Sequence, residues 1–257
     1  MLGSIRTLLF IAALAQSPTQ GTAPQTQPIT TIPVIDEAPT KANSYDWMAR
    51  HNAVLERVKQ GNCDLLFIGD SITHGWEGQG KDLWDHYYGP RKAVNLGFGW
   101  DRTEHVLWRL DHGEIDGIKP KVAVILIGVN NVGGNTVDDT VAGTVAVVNE
   151  VHQKLRRTKV LLLSIFPWKQ TADDPMRKKA AEISMKVTAA FAGEKWVTPL
   201  DIGPKFLQPA GTLTREIMPD YLHPNKKGYQ IWAEAMEPTL SKLMRDKPVE
   251  PMPPVGD

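Results

Sequence analysis

The sequence has one cysteine, Cys63, among its 257 residues. That excludes an internal disulfide and any thiolate-rich metal centre. An excess of either charge is also missing, with 29 Lys and Arg against 29 Asp and Glu. Such a balance gives no field that draws nucleic acid or an anionic membrane, so neither is expected as a partner. No apolar run approaches the roughly 20 residues that a membrane-spanning helix needs. Internal repeats are absent as well. What is present is enough chain for one good core, since 257 residues is ordinary for a single α/β domain.

The two ends differ in composition from the middle. Arg6, the apolar stretch Leu8 to Leu14 and the small-residue pattern Ala13-Leu14-Ala15 read as a signal peptide over residues 1–15, which implies a secreted or periplasmic protein. Residues 16–42 are rich in Pro, Thr and Gln, have little to bury, and read as a disordered linker. The Pro-rich stretch 247–257 reads as a disordered tail. The folded domain is expected over residues 43–246.

Within that domain Asn43 and Ser44 are candidate caps of a helix through Lys59, with Gly61 as its stop. Strands are expected at 64–68, 93–96, 122–127, 160–165 and 195–199. Helical patterns stand at 103–110, 135–157, 174–192 and 224–244, the last opening on Pro224. Val122 to Ile127 is continuously apolar, as a strand covered on both faces must be. Alternating strands and helices argue an α/β fold with a parallel sheet joined by right-handed crossovers. Functional groups in such sheets collect beyond the carboxyl ends of the strands.

Three residues carry nucleophilic chemistry. The run Leu65-Leu66-Phe67-Ile68-Gly69-Asp70-Ser71 is a strand that delivers the Ser71 hydroxyl to the rim of the sheet. A serine hydroxyl is a weak nucleophile and needs a base within hydrogen-bond reach. His223 is the expected base, and Asp220, three residues earlier, is expected to hold its tautomer. An oxyanion needs donors already in place. Ser71 offers its own N–H, Asn130 a side-chain amide, and the loop Asn95 to Asp101 a backbone N–H. All of these fall after strands, on one rim. His74 is expected to be structural or substrate-facing. Arg102 is a candidate substrate contact or the partner of a nearby acid. Trp168, in the loop after the fourth strand, is the better exposed of the candidate sugar-stacking tryptophans, whereas core packing accounts for Trp108. His105, His112 and Glu114 do not have metal-ligand spacing.

These blocks resemble the SGNH/GDSL hydrolase family. Gly69-Asp70-Ser71-Ile72-Thr73, Asn95 through Asp101, Gly128-Val129-Asn130-Asn131 and Asp220-Tyr221-Leu222-His223 match its motifs, and the resemblance covers nearly all of residues 60–245. Val106-Leu107-Trp108-Arg109-Leu110 and the Asn-Asn pair are similar to the branch containing the catalytic subunits of intracellular platelet-activating-factor acetylhydrolase. The resemblance implies a flavodoxin-like three-layer sandwich with a five-stranded parallel sheet, no metal or other cofactor, and an acyl-serine intermediate. It also implies an oxyanion hole of Ser71, Trp100 and Asn130. Trp100 stands where the family has glycine, so its indole either walls a small acyl pocket or bars substrate, and a positive φ there would be strained. The expected substrate is a small-molecule or carbohydrate ester with a short acyl group. A lipase on the same scaffold and an inactive carbohydrate-binding homologue are the alternatives, and the oligomeric state is left open.

Overall fold

The computed structural model describes residues 27–35 and 46–256. The expected signal peptide and most of the linker lie outside those residues. Five strands form one sheet: β1 (Leu65–Gly69), β2 (Ala93–Gly97), β3 (Val122–Leu126), β4 (Lys159–Leu163) and β5 (Val197–Leu200). Their order is β2-β1-β3-β4-β5, and every pairing is parallel. The chain leaves β1 toward one edge and then returns past it to β3. Order therefore reverses between β1 and β3, and a crevice opens there beyond the strand ends.

Side chains alternate between two apolar layers, as the period-two pleat requires. Leu66 and Ile68 point with Ala123, Ile125, Val160 and Leu162 to one face. That face is covered by α1 (Trp47–Lys59), and further along the chain by helices at Thr103–Asp111, Val137–Lys154 and Pro175–Ala190. Leu65, Phe67, Val124 and Leu161 point to the other. Two short helices that the sequence pattern does not show, α2 (Ser71–His74) and α3 (Lys81–Tyr87), cover it together with the closing helix. In chain order the longer ones are α4 (Thr103–Asp111), α5 (Val137–Lys154), α6 (Pro175–Ala190) and α7 (Lys226–Met244). The three-layer α/β sandwich is as expected.

Several boundaries move for local reasons. Asp46 caps α1, accepting the Ala49 N–H at 2.9 Å, so the helix starts beyond Asn43 and Ser44. Asn225, not Pro224, caps α7 by accepting the Gly228 N–H at 3.1 Å. Gly97 is required by close approach, since a Cβ there would lie 2.2 Å from the His74 backbone nitrogen. Its hydrogen atom lets α2 lie on β2.

The described parts of two stretches expected to be disordered, residues 27–35 and 247–256, are held against the domain. Thr30 is fully buried; its hydroxyl donates to the Asp139 carbonyl, and its own carbonyl accepts from the Thr103 hydroxyl at 3.0 Å. The Val34 N–H donates to the Glu104 carbonyl at 3.1 Å. At the other end the Val249 N–H reaches Glu237 Oε1 at 2.9 Å and the Val255 N–H reaches Gln230 Oε1 at 2.8 Å. Low apolar content does not prevent order when side chains of the helices meet the polar backbone of such a segment.

Candidate active site

β1 ends at Gly69, and the chain turns at once into α2. Asp70 is extended at φ −99° and caps that helix, its Oδ1 accepting the Ile72 N–H at 2.9 Å. Ser71 is thereby the first helical residue, at the crevice between β1 and β3. Its Oγ lies 2.8 Å from His223 Nε2. On the far side of the ring, His223 Nδ1 is 2.6 Å from Asp220 Oδ2. An ionised carboxylate only accepts, so the ring proton sits on Nδ1 and Nε2 is left free to accept the serine proton. Asp220 Oδ1 accepts the N–H groups of Leu222 at 3.0 Å and His223 at 2.7 Å. Burial pushes the Asp220 carboxyl up, but the bonds from His223 and Leu222 outweigh it and hold the group below the ordinary carboxylate range. The expected serine, imidazole and acid are thus brought together from positions 152 residues apart.

The expected oxyanion donors come from two loops tied to this point. The Phe98 N–H donates to the Gly69 carbonyl at 3.1 Å, and the Asp101 N–H donates to the Phe98 carbonyl at 3.3 Å. Trp100, inside that turn, has φ +68° and is 55% exposed. Asn130 follows β3 in a short 3₁₀ turn, and its Nδ2 donates to the Asp101 carbonyl at 2.9 Å. One amide hydrogen holds the loop; the other has no partner among the described residues. Its neighbour Asn131 is buried and structural: Oδ1 accepts the Thr103 N–H at 3.1 Å while Nδ2 donates to Glu104 Oε2 at 3.0 Å. An Asp there would face the Glu104 carboxylate.

The expected substrate contacts are less direct. Arg102 takes the ion-pair alternative, with Nε 2.9 Å from Glu104 Oε1. Trp168 is not the exposed platform expected, because it packs against both apolar layers and its Nε1 is buried. His74 is pushed down to about 4 by burial and by Arg50, which keeps it neutral.

Beneath the Asn95–Asp101 loop lies a buried charge network that sequence spacing alone does not reveal. Asp101 Oδ1 accepts from Trp47 Nε1 at 2.8 Å, and Oδ2 from Arg109 Nε at 2.8 Å. Arg109 also pairs with Glu114, which holds His51 Nδ1 at 2.8 Å. All the members are buried. Arg109 stacks on Phe98, 3.9 Å from the ring centre. The turn carrying Trp100 is therefore bolted down on both sides. Directly behind Ser71, Asp70 Oδ2 is buried without a partner, and burial pushes Asp70 up to about 7.

A large groove of about 1000 Å³ lies elsewhere, between α6 and the edge strand β5. Ser71, Trp100, Asn130 and His223 do not line it. Among the described residues no cluster of three or more His, Cys, Asp and Glu side chains is placed to hold a metal, and no helix is long and apolar enough to cross a membrane.

A hydroxyl aligned with an imidazole and a carboxylate at the carboxyl edge of a parallel sheet is equipped for acyl transfer through serine. That is the class of the serine hydrolases. Comparison with known proteins narrows it. The GDSL-like Lipase/Acylhydrolase family matches residues 67–231. The chain is 34% identical over 201 residues to human platelet-activating factor acetylhydrolase IB subunit alpha1, covering 77% of this chain and 84% of that one. The fold is shared with a GDSL-like lipase from Bacteroides thetaiotaomicron, with TM-score 0.60, 18% identity and coverage of 76% and 96% of the two chains. It is also shared with an acetylxylan esterase from Geobacillus stearothermophilus, at TM-score 0.56, 22% identity and coverage of 73% and 96%. This chain belongs to the GDSL-like lipase/acylhydrolase family and is a carboxylic ester hydrolase.

Proposed function

We propose that this hydrolase removes short acyl groups, acetyl above all, from hydroxyls of a carbohydrate, outside the cytoplasm. The observation that carries the mechanism is the unbroken chain from Ser71 through His223 to Asp220. In it Ser71 Oγ attacks the acyl carbon while His223 Nε2 takes its proton. The developing oxyanion faces the N–H groups of Ser71 and Trp100 and the second amide hydrogen of Asn130. Collapse expels the alcohol, which receives the proton from His223. Water then repeats the sequence on the acyl-serine and releases the carboxylic acid and free Ser71.

The short acyl group rests on Trp100. Trp100 is 55% exposed on the turn that the Phe98 N–H ties to the Gly69 carbonyl, two residues before the nucleophile, and the large apolar groove that could hold a long chain is not lined by Ser71 or His223. Similarity to a protein named as an acetylhydrolase, and a fold shared with one named as an acetylxylan esterase, support the same reading. Export rests on the N-terminal pattern around Arg6 and Leu8 to Leu14. The test is acetate release from acetylated oligosaccharides, together with turnover of p-nitrophenyl acetate and octanoate. Preference for octanoate, or no acetate release from any sugar ester, overturns the substrate reading. N-terminal sequencing of the protein from its native cell envelope or medium tests export, and an intact Met1 there overturns it.

A further inference from the structure

Two cations stand beside the His223 loop without a carboxylate to neutralise them. Lys169 lies in the connection from β4 to α6, with its ammonium 4.5 Å from the centre of the Trp168 ring. Arg215 lies in the connection leading to Asp220, with its guanidinium 5.3 Å from the centre of the Tyr221 ring. Tyr221 joins the two, because its carbonyl accepts the Lys169 N–H at 2.9 Å and it sits between Asp220 and His223. Lys169 and Tyr221 both hold positive φ, +64° and +61°. Backbone strain of that kind persists only where the surroundings enforce it, and it concentrates at ligand sites. Resting on a ring face keeps a flexible cation in place while leaving its charge uncancelled. By contrast Arg50 pairs with Glu77, Arg102 with Glu104 and Lys226 with Asp82. Among the described residues no Asp or Glu oxygen lies within 4.0 Å of either the Lys169 or the Arg215 head.

We infer that Lys169 and Arg215 form an anion subsite for the alcohol portion of the ester, so that the preferred leaving group carries a carboxylate or a phosphate. This rests on the hydrolase mechanism above, which fixes the direction. The acyl carbonyl must face Ser71 and the donors from the β1 and β3 side. The leaving oxygen must face His223, which returns its proton. Whatever is attached to that oxygen extends over the His223 loop, where the two cations are. Asp220 places one negative charge in the same corner, so a single cation would only balance it; two leave an excess for the substrate.

The experiment uses matched pairs of acetyl esters. Acetylated methyl xyloside and acetylated methyl glucuronoside share a ring and differ by a carboxylate; monoacetylglycerol and monoacetylglycerol phosphate differ by a phosphate. The readout is the ratio of kcat/KM, anionic over neutral, within each pair. At low ionic strength the ratio is expected to exceed one in at least one pair and to shrink as salt is added. Lys169→Gln and Arg215→Gln should each lower it about two- to fivefold, and the double variant about tenfold. The pair with the larger ratio tells carboxylate from phosphate. Because the ratio is internal to the folded enzyme, loss of soluble protein does not mimic the effect. Ratios near one at low salt in both pairs, or a ratio unmoved in the double variant, overturn the subsite. Failure of the carbohydrate reading looks different: neither sugar ester is hydrolysed while the glycerol pair still shows the anion preference.

Discussion

Asp220 uses both of its carboxylate oxygens on His223. One accepts the backbone N–H of that residue at 2.7 Å and the other faces its ring Nδ1 at 2.6 Å. The acid therefore sets two things at once: where the imidazole stands and which nitrogen bears the proton. Three-residue spacing is what makes this possible, because the tight turn with Tyr221 at φ +61° folds the carboxylate back over its own loop.

Separating those two duties gives the first prediction. In Asp220→Asn the amide oxygen can still accept backbone N–H groups, so the turn should survive. The ring Nδ1 then faces an amide that donates as readily as it accepts, and the tautomer is lost. Turnover of p-nitrophenyl acetate is expected to fall on the order of 10³–10⁴-fold in kcat, with thermal unfolding little changed. Asp220→Ala should also lower the unfolding temperature, because the turn loses its acceptor. Equal unfolding temperatures for the Asn and Ala variants would show that Asp220 does not hold the loop.

Trp100 gives a second prediction. Its φ of +68° costs a non-glycine residue about 1 kcal/mol or more. Trp100→Gly keeps the N–H and relieves the strain, though it frees the unfolded chain. The variant should unfold at a temperature no lower than that of the parent, and its octanoate-to-acetate ratio should rise. Trp100→Pro removes the donor and cannot reach this φ, so it should lose about a hundredfold or more in kcat. An unchanged chain-length preference in Trp100→Gly would remove the indole from the acyl side of the site.

How far the sequence goes depends on which physics is local. The central strands are legible because Leu65 to Ile68 and Val122 to Ile127 hold no polar side chain, which only a doubly covered strand permits. Ser71 is legible because it follows the carboxyl end of a strand whose type is clear, and His223 because it stands three residues after an acid and just ahead of the closing helix. Helix starts are less so: Asn43, Ser44 and Asp46 are all good caps, and docking of Trp47 into the core selects the last. The tail at 248–256 has no periodic signal, since its order comes from Gln230 and Glu237 on α7 meeting its backbone. Lys169 and Arg215 escape notice for the same reason. Their rings are supplied by loops, and loop crossings leave no spacing to read.

Asp70 adds a pH dependence whose sign follows from its burial. Its carboxyl is pushed up to about 7 from an ordinary value of 3.8, first by burial and further by the nearby Asp101. Between about pH 4 and pH 7 the folded chain then keeps a proton that the unfolded chain has released. Stability from this group is full at the acid end and is lost as pH rises through that window. Asp70→Asn keeps an acceptor for the Ile72 N–H and removes the titration. The variant should gain on the parent, by up to a few kcal/mol, as urea unfolding is repeated from pH 4 to pH 7. A constant gap between the two across that range would show that Asp70 is ionised throughout.

Arg109 is the most consequential side chain that touches no substrate. It is fully buried between Asp101 and Glu114, and it also donates to the Leu96 carbonyl at 3.3 Å. Desolvating three charges is expensive, and it is offset only while every partner is present. Arg109→Met keeps most of the volume but leaves two buried carboxylates facing each other. The expected loss is about 3–5 kcal/mol by urea unfolding at neutral pH. Acid should restore part of it, because burial pushes Asp101 up and a protonated Asp101 no longer repels the Glu114 carboxylate. Asp101 also anchors the turn of Trp100 and, through its carbonyl, the amide of Asn130. The variant that remains folded should therefore show reduced kcat with KM for p-nitrophenyl acetate nearly unchanged, since the donors are displaced while the access to Ser71 is not. A stability loss with kcat intact would separate the network from the oxyanion loop and reduce Arg109 to a core residue.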